Sequence, residues 1–184
     1  AALTNAKPKI AEYPFTTTKP EIGTLDICGC KIQTIELPSI VLGQEDREWL
    51  SMARVADLTI LLISSFEELI KISNYSKQES VDHNRVVVLN KIDSIKKEDL
   101  DKFKNFKNII KISSKSKEGL EELKQKIFEG LNLLRAYTKE PGKKPNAQPS
   151  VLKKHSTIKD LAESIRKDYS KRFLSAKIWG KTAK

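Results

Sequence analysis

Two short apolar runs constrain the fold of this chain more than any other feature. Leu58-Thr59-Ile60-Leu61-Leu62-Ile63 and Val86-Val87-Val88-Leu89 are continuous rather than alternating. The first has the pattern of a strand in a parallel sheet covered on both faces. Between them, Phe66 to Tyr75 reads as helix. After them, Glu98 to Phe106 reads as helix, Asn108 to Ile112 as strand and Lys117 to Leu134 as a long amphipathic helix. Strands alternating with helices predict a doubly wound α/β sheet, whose ligands bind beyond the carboxyl ends of the strands.

The flanking segments are of other kinds. Ile22, Leu25 and Ile27, then Ile32, Ile35 and Leu37, predict two strands joined by a tight turn at Cys28-Gly29-Cys30-Lys31. Gln44 to Asp57 has helical spacing with acidic residues in its first turn. Pro141-Gly142, Pro145 and Pro149 separate this α/β part, residues 1–135, from a smaller part, residues 136–184. There Ser150 to Lys153 reads as a strand. A helix starts near Thr157, with Asp160 at capping-box spacing and Ile158, Leu161, Ala162, Ile165, Tyr169 and Phe173 on its apolar face. Ala176 to Trp179 reads as a final strand, and the whole suggests a small α+β unit of β-grasp type.

Charge divides at the same place. Residues 136–184 hold 13 Lys and Arg against 4 Asp and Glu, whereas residues 1–135 hold 21 against 20. A near-neutral larger part joined to a strongly basic one suggests a catalytic or switching domain with an RNA-contacting appendage. A Lys-rich solvated surface is the alternative reading. The apolar fraction of 39% suffices for a core. No apolar run nears the roughly 18 residues that span a bilayer, and no signal-peptide pattern opens the chain, so the expectation is a soluble cytoplasmic protein without membrane attachment. Cys28 and Cys30 are too close in sequence to staple distant segments. His83 and His155 lie too far along the chain to suggest a shared metal site, and structural thiols are the favoured reading.

Asn90-Lys91-Ile92-Asp93 follows directly on the second apolar run. A carboxylate at Asp93 can accept from both the ring N–H and the exocyclic amino group of guanine, a donor pair adenine lacks. A site built around that acceptor rejects adenine because its polar groups would be left unpaired. The stem of Lys91 can lie along the base. The same residues also suit a turn in which Asp93 or Ser94 caps the next helix. Ser113-Ser114-Lys115 likewise follows a predicted strand and so faces the same crevice.

With these residues in view, the chain resembles a GTPase of the Obg/DRG family, in its DRG-like branch, followed by a TGS domain. Ala6-Lys7-Pro8-Lys9-Ile10-Ala11 with Tyr13-Pro14-Phe15-Thr16-Thr17-Thr18 is similar to the family's switch I, and Asn90 to Asp93 is similar to its guanine loop. Ser113 to Lys115 is similar to the second base-contact loop. Tyr137 to Pro145 and Lys177-Ile178-Trp179-Gly180-Lys181 resemble stretches of the TGS domain. Four motifs in the right order are more specific than any one of them. The resemblance implies GTP or GDP as ligand with Mg²⁺ as cofactor. It places Phe15, Thr16, Thr17, Thr18 and Lys19 at the switch, with the Thr17 hydroxyl on the metal and its N–H near the γ-phosphate. It assigns Asn90, Lys91 and Asp93 to the base, and Ser113, Ser114 and Lys115 to a loop whose backbone holds the guanine O6. It implies as partners the ribosome or its RNA, through the basic TGS domain, and a DRG-type regulatory protein.

The departures matter equally. Where the family has Asp-x-Pro-Gly, this chain has Glu36-Leu37-Pro38-Ser39, with a longer carboxylate and a Cβ where close backbone approach to phosphate is needed. Ile40 stands in place of a water-orienting glutamine, as is usual for the family. No catalytic residue is assigned, and slow GTP hydrolysis, or none, is expected. No G-x-x-x-x-G-K-[ST] loop occurs in the 184 residues. Ser175 to Thr182 lacks the first glycine of one. The resemblance therefore implies a GTPase-type sheet that begins inside the helix after that loop, and a TGS domain that stops before its last strands. The expected function is a guanine-nucleotide switch in translation or ribosome assembly. The alternative is a degenerate, non-hydrolysing member that works as an RNA- or protein-binding module.

Overall fold

The computed structural model describes residues 3–4, 20–38, 47–78, 84–106, 108–172 and 174–180, and it divides into two compact units, Ala1–Leu131 and Asn132–Lys184. The first unit opens with β1 (Glu21–Ile27) and β2 (Cys30–Glu36), an antiparallel hairpin in the register Leu25↔Ile32 and Ile27↔Cys30. Its turn is Cys28-Gly29, both with positive φ, and the Gly29 N–H donates to the Asp26 carboxylate. Cys28 is exposed and Cys30 buried, both as free thiols.

Helix α1 (Arg47–Val55) leads into β3 (Thr59–Ile63), α2 (Phe66–Gln78), β4 (Arg85–Leu89), α3 (Lys97–Asp101), β5 (Ile109–Lys111) and α4 (Leu120–Gly130). The three strands form a parallel sheet with β4 in the middle. The start of α2 is fixed locally. The Glu68 N–H donates to Ser65 Oγ, and the Glu68 carboxylate reaches back to the Ser64 N–H, which satisfies donors that a helix start otherwise leaves open.

Successive residues of β4 go to opposite faces. Val88 joins Ile110, Ile112, Leu120, Leu123 and Ile127, together with Leu25 and Ile27 of the hairpin, in one cluster. Leu89 joins Ile63, Leu69 and Phe103 in the other, where Phe66 meets Phe103 edge-to-face at 5.4 Å. Burial on both faces thus holds for β4. It does not hold for β3, where Ile60 and Leu62 are 37% and 57% exposed. These two residues share a face with Val86 and Val88, but Leu123 and Ile127 of α4 cluster with the β4 and β5 residues of that face. For β3, which stands at the sheet's edge among the described residues, an apolar run therefore does not by itself specify two covered faces.

Helix α4 also departs from its expected span. It starts after Gly119 (φ 72) and ends before Asn132 (φ 52), so Leu133 and Leu134, which extend the helical period on paper, turn away into a strand. Asparagine tolerates the left-handed conformation that ends a helix. At the same end, the Asn84 amide donates to the carbonyls of Gly130 and Asp57 and ties the helix to the start of β3. Helix α3 covers five residues and gives way to turns before Phe106.

The second unit pairs β6 (Leu133–Ala136) with β7 (Ser150–Lys153) in antiparallel register. Next comes α5 (Ile158–Ile165), whose capping box is formed as expected. Thr157 Oγ1 accepts from the Asp160 N–H, and the Asp160 carboxylate accepts from the Thr157 N–H. The single helix expected through Phe173 is interrupted. Arg166 is extended (φ −156, ψ 129), and its guanidinium grips the Asp168 carboxylate at i+2, a spacing whose side chains do not face each other on a helix. Helix α6 (Tyr169–Arg172) follows. Ala176–Trp179, expected as a strand, pairs with none among the described residues.

Gly119 is a position that tolerates no side chain. A Cβ there would lie 2.2 Å from the Lys111 carbonyl oxygen, in a backbone conformation that already disfavours L-residues. Gly119→Ala is expected to cost more than about 2 kcal/mol, read as a lowered urea midpoint. Alanine at the exposed Gly142, where nothing lies within 4 Å, meets only the backbone term and is expected to cost about half as much.

Candidate functional site

The ends of β4 and β5 carry two loops, and backbone bonds hold both to the sheet. The Asn90 N–H donates to the Ile63 carbonyl at 2.8 Å, Ile112 N–H to Leu89 at 2.8 Å and Ile92 N–H to Ile112 at 3.2 Å. Lys91 takes φ 63, a left-handed conformation uncommon outside glycine, which turns the chain out of β4 toward Asp93.

Side chains then join the loops to each other. Asn90 Oδ1 accepts from both the N–H and the hydroxyl of Ser114, at 3.1 and 3.0 Å. Ser113 donates from Oγ to Asp93 Oδ1 at 2.5 Å and accepts from the Ser116 N–H at 3.0 Å, so its hydroxyl is satisfied although the residue is 0% exposed. The Ser113 N–H donates to the Glu118 carbonyl, which closes the second loop on itself. Four of the residues selected by sequence, Asn90, Asp93, Ser113 and Ser114, are thus brought into one hydrogen-bonded group. Lys91 and Lys115 flank it, exposed.

The Asp93 carboxylate lies on the surface, with Ser94 Oγ donating to its second oxygen at 3.1 Å. The Ser113 hydrogen bond holds its pKa below the usual carboxylate value. A smaller opposing push comes from burial, and further lowering comes from Ser94, its own backbone and the Lys115 charge. An ionised carboxylate has about four lone-pair directions, and the two serines use two. The remaining acceptor capacity suits a ligand presenting two adjacent N–H donors, and the Lys91 stem offers an apolar edge beside it.

The other selected residues fall elsewhere. Glu36, Leu37 and Pro38 are at the open end of the hairpin, where Glu36 stands across from Glu21, and no hydrogen bond joins them to either loop among the described residues. Phe15, Thr16, Thr17, Thr18, Lys19 and Ser39 lie outside the described residues. Glu36 supplies the hard oxygen donor that Mg²⁺ prefers, so its chemistry fits that ion. Sequence reasoning overlooked Ser116, Glu118 and Gly119, which shape the second loop. The glycine just before the α4 helix was the available signal.

Residues 1–91 match the family described as 50S ribosome-binding GTPase, residues 54–133 the C-terminal region of that domain, and residues 134–184 the TGS domain. Ribosome-interacting GTPase 1 of Saccharomyces cerevisiae is 31% identical over 99% of this chain and 71% of its own length. An uncharacterised GTP-binding protein of Methanocaldococcus jannaschii is 28% identical over 99% of this chain and 68% of its own. Developmentally-regulated GTP-binding protein 1 of Xenopus laevis is 24% identical over 96% and 70%. The first two alignments run to 264 positions, more than the 184 residues here, so those relatives contain inserted segments that this chain does not.

Because its folded pKa is depressed, Asp93 adds stability that is present above its unfolded pKa and is lost as pH falls through the folded value. A carboxyl-carbon NMR titration should find Asp93 titrating below the ordinary aspartate midpoint. In Ser113→Ala the midpoint should move up, because the largest lowering interaction is gone.

Proposed function

Because this chain belongs to the Obg/DRG family of GTPases, with a TGS domain over residues 134–184, we propose that it is a guanine-nucleotide switch whose base specificity resides in Asn90, Lys91 and Asp93. The observation that carries this reading is the joining of the two loops, Asn90 to Ser114 and Asp93 to Ser113. It sets an ionised carboxylate with open lone pairs at the carboxyl end of a buried strand, where an α/β sheet places its ligands. Asp93 accepts the two guanine donors, and the backbone of Ser113, Ser114 and Lys115 meets the O6 edge. A purine without the donor pair leaves Asp93 unmatched.

The phosphate end is assigned to Phe15, Thr16, Thr17, Thr18 and Lys19 with Glu36, Leu37, Pro38 and Ser39. Bound Mg²⁺ would supply charge neutralisation at the phosphates, with the Thr17 hydroxyl and, through water, Glu36 to hold it. Departure of the γ-phosphate would release the Thr17 segment, which is the switching event. Glu36 and Ser39 in place of the family's aspartate and glycine favour slow hydrolysis. The exposed Glu36, facing Glu21 across the hairpin, also gives the alternative, a non-hydrolysing binding module, a specific observation in its favour.

The place of action proposed is the cytoplasmic ribosome. One relative is named for ribosome interaction, one matched family is described as ribosome-binding, and residues 136–184 supply the positive charge that contact with ribosomal RNA requires. A DRG-type regulatory protein is the second proposed partner. Among the described residues no helix is long and apolar enough to cross a membrane.

Isothermal titration calorimetry on the intact protein should give GDP and GTP affinities at least about a hundredfold above ATP. Asp93→Ala should remove most of that preference while leaving ATP binding unchanged. Equal affinity for the two bases in the wild-type protein would sink the proposal.

A further inference from the structure

One polar contact between the two loops is made twice over. Asn90 Oδ1 accepts from the Ser114 N–H at 3.1 Å and from the Ser114 hydroxyl at 3.0 Å. A backbone N–H can only donate, so the side-chain atom facing it is the amide oxygen and not the amide nitrogen. That oxygen has two lone pairs, and a single residue supplies a proton to each. The neighbouring residues offer no such pair. Ser113 Oγ is engaged by Asp93 and Ser116, and Ile112 carries no hydroxyl.

The two donors cease to be equivalent once a base is bound. The Ser114 N–H belongs to the backbone assigned above to the O6 edge of guanine, and an N–H carries one proton. What it gives to a purine oxygen it withdraws from Asn90. Without a second donor, Asn90 Oδ1 would then lose its partner, and a stranded acceptor offsets the bond gained to the base. Among the described residues, the side-chain tie left between the loops would be Asp93 to Ser113. A hydroxyl avoids this conflict, because it turns about its own C–O bond and stays on Asn90 when the N–H leaves.

On the guanine-binding reading proposed above, we infer that Ser114 is a positioning residue whose hydroxyl keeps Asn90 bonded, and the two loops joined, while its N–H serves the base. The hydroxyl acts through Asn90 and not on the ligand. The Asn90 N–H on the Ile63 carbonyl at 2.8 Å fixes where the side chain starts, but not the rotation of its amide. The amide is planar, so holding its oxygen on the second loop also sets the direction of its NH₂ group, the donor Asn90 has for a purine. Guanine presents O6 and N7 as neighbouring acceptors on one edge, which suits an N–H and an NH₂ held side by side.

In the free protein the two donors are redundant, and this separates the role from a merely structural one. Ser114→Ala leaves the N–H on Asn90, so the urea midpoint should stay close to that of the wild type. Calorimetry of the intact protein should nonetheless show GDP affinity reduced about three- to tenfold, the effect of one lost hydrogen bond. Ser114→Thr, which keeps the hydroxyl, should retain the wild-type affinity. In an Asn90→Ala background no acceptor remains to be held, so adding Ser114→Ala should cost less than about twofold. Unchanged GDP affinity in Ser114→Ala overturns the inference, as does an equal loss with and without Asn90, a loss that threonine does not prevent, or a loss accompanied by a matching fall in the urea midpoint. Wild-type protein that binds GDP no better than ADP would remove the guanine reading and this inference with it. A preserved GDP preference with an insensitive Ser114 removes the inference alone.

Discussion

A strand sends successive side chains to opposite sides, so it is held still only when both sides are filled, and β4 meets that condition. Val88 and Leu89 are each fully buried, one in the cluster under α4 and the hairpin, the other in the cluster around Phe103. Neither face can be loosened without disturbing the residue that follows, because Asn90 is bonded through its N–H to the Ile63 carbonyl at the end of β3. The exposed Asp93 thus inherits its position from apolar packing that begins one residue before the loop.

Polar bonding completes what packing starts. A buried hydroxyl without partners costs roughly 1–3 kcal/mol, and Ser113 escapes that cost only because Asp93 accepts its proton and Ser116 donates to its oxygen. The bond that makes Ser113 tolerable also holds the Asp93 pKa below its usual value. Fixing the carboxylate in advance lowers the ordering cost of any ligand that uses it. The open end of the hairpin is different. Glu36 faces a like charge at Glu21, and cross-strand like charges are unfavourable, so this end does not enforce one arrangement in the way the two loops do.

How much of this was legible in the sequence depended on range. Local chemistry read correctly: the Cys28-Gly29 turn, the Thr157 and Asp160 cap, and the run of β-branched residues in β4. Periodicity misled where a backbone torsion decides. Leu133 and Leu134 continue the α4 pattern, but Asn132 in a left-handed conformation ends the helix before them. The Arg166 break follows from a bond to Asp168 that no hydrophobic pattern encodes. The exposure of Ile60 and Leu62 is a property of their neighbours, not of their own run. At the candidate site, Asn90, Asp93, Ser113 and Ser114 were identifiable by type and spacing. The pairing of each with its partner depends on the approach of segments 20 and 24 positions apart, and the need for Gly119 on its closeness to the Lys111 carbonyl, both of which only the fold supplies.

The two parts of the chain use different physics, and salt separates them. Under the proposed function, recognition around Asp93 would depend on short hydrogen bonds with fixed geometry in a unit whose charge is nearly balanced, so screening would have little to act on. In residues 136–184, the attraction proposed for RNA would come from many cations, the form of interaction that a Debye length of about 8 Å at physiological ionic strength attenuates most. A partner held mainly by the second unit would therefore be gained and lost with ionic conditions and local phosphate density. Discrimination at the first unit would persist across the same range. For the proposed switch beside a polyanion, this arrangement would let the nucleotide be chosen independently of the surface to which the protein is bound.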